Sequence, residues 1–168
     1  MINLQIAEAL LPADDPAAGS LSLVESDLLE RAARETLVLV GAPVESDLSL
    51  VLTDDAQLHE LNREFLGIDA PTDVLSFPGG ETDPDSEQLY LGDVVISYPR
   101  AQAQAAAGGH PLEDELQLLV VHGVLHLLGH DHADENAKAG MWARQAEVLR
   151  RLGCSIRGPA NDDETVAR

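Results

Sequence analysis

At 168 residues, 45% hydrophobic but only 3% aromatic, the chain is expected to fold as one domain, residues 1–168, around Leu, Val and Ala. Ten Lys and Arg against thirty Asp and Glu leave a net charge of −20, which argues against a basic face for free nucleic acid, against DNA as a partner, and for a soluble monomer. One cysteine, Cys154, excludes an intramolecular disulfide and a cysteine-built zinc site and fits a reducing cytoplasm; with no signal peptide and no apolar run of transmembrane length, no membrane partner is expected.

Ile2, Leu4 and Ile6 alternate within Met1–Ala7 and predict a first strand. Residues 12–20 are acidic, carry Pro and Gly, and read as a loop. Leu28, Ala32, Leu37 and Val40 recur at helical spacing across residues 23–40, and Gly41 stops that helix. Leu48, Leu50 and Leu52 share one face of a second strand. Thr53 or Asp54 caps a helix running to about Leu66, before Gly67. Pro71 and Pro78 bracket a third strand, Thr72–Phe77. Gly79 to Gln88 reads as an exposed acidic loop, with a lid over a cleft as the alternative. Leu89 to Tyr98 holds Val94, Val95 and Ile96 and predicts a buried strand ended by Pro99. Arg100 to Ala107 is an Ala/Gln helix broken by Gly108-Gly109.

Pro111 opens the next helix, and Glu113, Asp114 and Glu115 suit its positive N-terminus. Leu116 to Leu128 is apolar nearly all round, so this helix is buried. It carries His122 and His126, four apart and hence on one face with Cβ atoms roughly 5–6 Å apart. Gly129 can end the helix in the left-handed conformation, and the returning chain then offers His132. Three neutral imidazoles leave a tetrahedral position open, the layout of a catalytic zinc site with one ion per chain. The competing reading is two core histidines bonded to backbone carbonyls, with His130 and His132 on a surface turn.

Ala133 to Leu152 is the last helix, its apolar stripe formed by Ala139, Trp142 or Ala146, and Leu149. Trp142 is assigned to the core, because a lone aromatic without a basic surround is a poor RNA signal. Arg144, Arg150, Arg151 and Arg157 form the only basic cluster and complement the helix C-terminus. From about residue 157 a frayed, disordered acidic tail follows. Lys138 is the only lysine.

The spacing H-x3-H-x5-H matches the metzincin proteases, but position 123 is Gly where they carry the glutamate general base. The stretch His122-Gly123-Val124-Leu125-His126-Leu127-Leu128-Gly129-His130-Asp131-His132 resembles instead the YbeY family of bacterial rRNA maturation endoribonucleases, whose motif reads H-G-x-L-H-L-x-G-y-D-H. Residues 61–77 resemble a second family block, L-N-x-x-y-R-G-x-d-x-P-T-D-V-L-S-F, and Leu91-Gly92-Asp93-Val94-Val95-Ile96-Ser97 a third. One position departs: the family arginine before the glycine is Leu66 here, so that arginine's role in the cleft cannot be carried over. Leu66 is expected to pack inward, and Arg63, one turn earlier, is the candidate to replace the arginine.

The order strand, helix, strand, helix, strand, strand, helices predicts an α/β fold. It would be a small mixed sheet of about four strands with helices packed on it and a zincin-like metal helix. Strands linked through helices should run parallel, and the third and fourth antiparallel. By analogy with zincins, Thr72–Phe77 would be the edge strand bordering the metal. The resemblance implies a zinc-dependent, single-strand-specific endoribonuclease. It would act in 16S rRNA 3′-end maturation and ribosome quality control, reaching rRNA on the small subunit through a protein partner. His122, His126 and His132 would hold the metal, with Asp131 as the nearest carboxylate orienting a ligand or assisting the chemistry. A zinc-stabilised assembly factor without catalysis and a hydrolase or protease of another substrate are the alternatives.

Overall fold

The computed structural model describes residues 1–7, 10, 23–43, 45–82, 84–85, 88–131, 133–156 and 165–166. Its elements are β1 (Ile2–Ile6), α1 (Leu23–Val40), β2 (Asp47–Thr53), α2 (Asp55–Leu66), β3 (Val74–Thr82), β4 (Leu89–Ser97), α3 (Tyr98–Gly108), α4 (Leu112–Leu127), α5 (Glu135–Leu152) and β5 (Thr165–Val166). The strands form one mixed sheet in the order β1-β2-β4-β3-β5. β1, β2 and β4 run parallel, each joined to the next through at least one helix, and β3 pairs antiparallel with β4 after a short connection.

The α/β class, the mixed sheet of about four strands and the strand directions follow the sequence pattern, with one addition and one correction. A two-residue fifth strand is added, because Thr165 and Val166 pair in parallel with Leu75 and Ser76. The rest of the expected tail beyond Ile156 lies outside the described residues, as does the whole of the loop expected at 12–20. Moreover, β3 does not stop at Pro78. Pro78 faces Gly92, the register then shifts, and Glu81 resumes pairing with Tyr90. A proline has no N–H to donate, so it sits at the irregularity instead of ending the strand. The loop expected at Gly79–Gln88 is shortened accordingly.

Both faces of the sheet are covered. On one lies the main core, which joins Leu29 and Leu37 of α1, Leu48 and Leu50 of β2, Val94 and Ile96 of β4 and Leu119 and Leu125 of α4, with α5 packed on α1 and α4. On the other, α2 closes a smaller cluster of Leu58, Leu75 and Val95. Asp54 caps α2 by accepting from the Gln57 N–H at 2.9 Å. Every residue of α4 from Glu115 to Leu127 is buried. Full burial of side chains such as Leu119 and Leu125 stabilises the fold by roughly 1.5–3 kcal/mol each, so α4 is the rigid axis on which the site is mounted.

Candidate metal centre

His122 and His126 lie on one face of α4, and both are buried. Their rings meet edge to face, centroids 4.6 Å apart, and the two Nε2 atoms stand 3.0 Å apart. The Nδ1–H of His122 donates to Gln145 Oε1 of α5 at 2.8 Å. That bond fixes the tautomer and leaves the Nε2 lone pair directed at His126. Burial pushes the His122 pKa down to about 4, against the opposing pull of the Gln145 hydrogen bond and the nearby Asp73. The ring is therefore neutral at physiological pH, the form a metal needs.

The helix ends where the glycine signal places it. Gly129 takes φ +90°, where a side chain would be strained, and the His130 N–H returns to the Leu125 carbonyl at 3.0 Å. Asp131 is half-buried, and its Oδ1 accepts from the Ala133 N–H at 3.1 Å. His132, the third expected ligand, lies outside the described residues. The two described histidines fit a zinc ion. Neighbouring ligands of one tetrahedral zinc stand about 3.4 Å apart at bond lengths of ~2.0–2.1 Å, close to the separation seen here. The ring behind them is held by a hydrogen-bonded amide, as metal histidines generally are.

Gly123 sits between the two histidines for a steric reason. A Cβ there would lie 2.4 Å from Val94 Cγ1, and the Gly123 carbonyl accepts from Ser76 Oγ at 2.9 Å. The helix lies directly on β3 and β4 at this point, so the metzincin glutamate has no room. β3 lies against the histidine helix through Ser76, but it is not the edge strand that the zincin analogy anticipated, because β5 pairs along its outer side.

Of three further residues near the histidines, Gln145 and Asp73 were not singled out from the sequence, and Trp142 was assigned only to the core. Gln145 is fully buried in an otherwise apolar stripe of α5 with Met141, Val148 and Leu149, and a polar residue at such a position is the signal that was available. Trp142, assigned to the core, does pack against it, but its ring also stands 5.5 Å from that of His122. Asp73 is 3% exposed and its carboxylate accepts from Gln104 Nε2 at 3.2 Å. Burial raises its pKa, partly offset by that hydrogen bond and by His122. Arg63, by contrast, is exposed on α2, 3.9 Å from Glu60. Leu66 packs inward on the Leu58–Leu75–Val95 cluster, as anticipated.

The sequence profile of the family described as Endoribonuclease YbeY matches residues 21–153. A protein named Endoribonuclease YbeY from Pelotomaculum thermopropionicum is 52% identical over 128 residues, covering 74% of this chain and 84% of its own. One of the same name from a Roseiflexus species is 49% identical over 140 residues, covering 79% and 86%. The solution structure of TM1509 from Thermotoga maritima superposes with a TM-score of 0.56 at 23% identity, covering 98% of this chain and all of that one, a likeness of fold.

Proposed function

Since the chain belongs to the Endoribonuclease YbeY family, we propose that it is a zinc-dependent, single-strand-specific endoribonuclease of rRNA processing, including 16S rRNA 3′-end maturation, and of ribosome quality control. The observation that carries the zinc dependence is the convergence of the His122 and His126 Nε2 atoms, 3.0 Å apart, with Gln145 behind. His132 completes the ligand set in this reading. A zinc ion bound there supplies Lewis acidity toward a phosphoryl oxygen and a water molecule.

The chain's own groups do the rest. Gln145 keeps the Nδ1 proton of His122 in place, so that the ring presents its lone pair. Asp131 ties down the chain ahead of α5 by accepting from the Ala133 N–H. The fully buried helix excludes water from behind the ligands. Arg63 is the candidate phosphate contact on α2. Arg63→Ala is expected to weaken RNA cleavage several-fold at unchanged metal content and melting temperature, as one exposed charge contact should. Equal loss of stability and activity would assign Arg63 to packing. Leu66→Arg should raise RNA affinity if that position still faces substrate.

Among the described residues no helix is long and apolar enough to cross a membrane. We place the chain in the cytoplasm as a monomer that reaches rRNA on the small ribosomal subunit through a protein contact. The charge of −20 motivates that route. Repulsion between exposed charges weakens as salt rises, whereas a binder that neutralises phosphates loses affinity. Binding to naked rRNA should therefore be weak and salt-tolerant or salt-promoted, and binding to subunits tighter. A salt series on both, with cleavage followed in parallel, tests this. Tight, steeply salt-weakened binding to naked rRNA would overturn delivery by a partner. Subunit binding with no metal-dependent cleavage of any rRNA end would favour the non-catalytic assembly factor.

A further inference from the structure

The two phenylalanines of the chain meet where α2 packs on the sheet. Phe65, in the last turn of α2, stands edge to face with Phe77 of β3, ring centroids 5.4 Å apart, yet it is 60% exposed. Ile68, 41% exposed, follows three residues later, so the two side chains spring from points within about 11 Å of each other. The turn that carries Ile68 is tied back to α2. The Ile68 N–H donates to the Asn62 carbonyl at 3.2 Å, Asn62 Nδ2 donates to the Ala70 carbonyl at 2.9 Å, and His59 Nε2 stands 2.7 Å from Asp69 Oδ1. Two large apolar side chains are thus held out to solvent at a fixed place. Their surround is mainly acidic: Glu60 and Glu64 lie one turn apart on α2 and Asp69 follows Ile68, all three exposed, against Arg63, which is 3.9 Å from Glu60.

We propose that Phe65 and Ile68 anchor a basic polypeptide segment, and that this is the protein contact through which the chain reaches the small ribosomal subunit. The inference rests on the delivery reading above and names the surface and the chemistry that reading leaves open. Charge complementarity selects the occupant. An acidic rim on a chain of net charge −20 repels a nucleic-acid strand and a second copy of the chain alike, whereas a segment rich in Lys and Arg is drawn to it. An exposed aromatic braced by a second ring has little side-chain freedom left to lose on binding, which suits it to anchor an interface. The position also keeps the histidines accessible. Leu75 and Phe77 face α2, while Ser76 between them meets Gly123 of α4. A partner seated on Phe65 therefore lies across the sheet from the histidine helix and leaves it open to RNA.

The test measures binding to purified small ribosomal subunits and to protein-free rRNA, with the zinc-loaded wild type beside Phe65→Ser, Ile68→Ser and Glu64→Lys. Phe65→Ser and Ile68→Ser are each expected to weaken subunit binding about tenfold, as loss of an interface anchor does. Glu64→Lys should weaken it several-fold and flatten its salt dependence, as reversal of a rim charge does. Zinc content, melting temperature and cleavage of a short single-stranded RNA should stay at wild-type values in all three. A p-benzoylphenylalanine in place of Phe65 should, on irradiation with the subunits, give an adduct that survives ribonuclease and contains a basic protein. Wild-type subunit affinity in both Phe65→Ser and Ile68→Ser overturns the inference. An adduct on rRNA, or an equal loss of binding to protein-free rRNA, gives the patch to a nucleobase and overturns it as well. So does a wild-type dimer that Phe65→Ser dissociates, because the occupant is then a second copy. A wild type that does not bind subunits at all overturns the delivery reading itself and takes this inference with it.

Discussion

His126→Ala should leave the chain without bound zinc and reduce RNA cleavage to background. The physical reason is the pair of Nε2 atoms 3.0 Å apart, of which this substitution removes one. A zinc site deprived of one imidazole keeps too few ligands to hold the ion against solvent. Lewis-acid stabilisation of a phosphoryl transition state is worth several kcal/mol, so the expected loss in rate is on the order of 10³-fold or more. Elemental analysis of purified protein measures the first effect, at about one ion per chain in the wild type and near none in the variant. Full metal stoichiometry in His126→Ala would overturn the three-histidine site. Gln145→Leu gives a graded companion result. It leaves the His122 Nδ1–H buried without its acceptor and the tautomer undirected, and such partners are typically worth 10–100-fold in metal affinity. Comparing thermal unfolding with cleavage after zinc removal then separates the two roles of the metal. A chain that stays folded but inactive uses the ion for chemistry; one that unfolds uses it for structure.

What the sequence makes legible is whatever depends on local spacing. The alternation of Ile2, Leu4 and Ile6, the leucines of β2 and the apolar run of β4 produce the strands. The i, i+4 histidines followed by Gly129 produce the turn of α4 that carries the candidate ligands. The antiparallel pairing of β3 with β4 follows from their short connection and the parallel pairs from the intervening helices. What stays hidden depends on contacts distant in sequence. Gln145 reaches His122 across 23 residues and Gln104 reaches Asp73 across 31, and no spacing rule links such pairs. Trp142 looks like one more core residue in the α5 pattern, and only the packing of α5 on α4 sets its ring beside His122. Pro78 misleads for a related reason. Whether a proline ends a strand depends on what its partner strand offers at that rung, and here the rung is a register shift opposite Gly92.

Gly123 combines both kinds of information, and its substitution should carry the second large effect. From sequence it marks the loss of the protease base; in the fold it is the point where α4 touches the sheet. An added Cβ would meet Val94 Cγ1 at 2.4 Å, Val94 Cγ2 at 3.2 Å and Ser76 Oγ at 3.3 Å. Val94 is fully buried in a central strand and β-branched, so it cannot rotate away cheaply. Forcing a methyl into such a core costs about 1–3 kcal/mol, against a gain of about 1 kcal/mol for replacing glycine by alanine in a helix. Gly123→Ala should therefore be destabilised by up to about 2 kcal/mol, with zinc affinity falling as α4 is levered off β4 next to His122. Gly123→Glu adds a buried carboxylate and should fail to fold at all, not acquire protease activity. Denaturant unfolding measures the alanine variant, and Val94→Ala supplies the control, because it removes both of the closest methyl groups. In the double variant Gly123→Ala/Val94→Ala, the cost should be smaller than the sum of the two single costs by at least about 1 kcal/mol. Strict additivity would mean that the close approach of α4 to β4 is not what excludes a side chain at position 123.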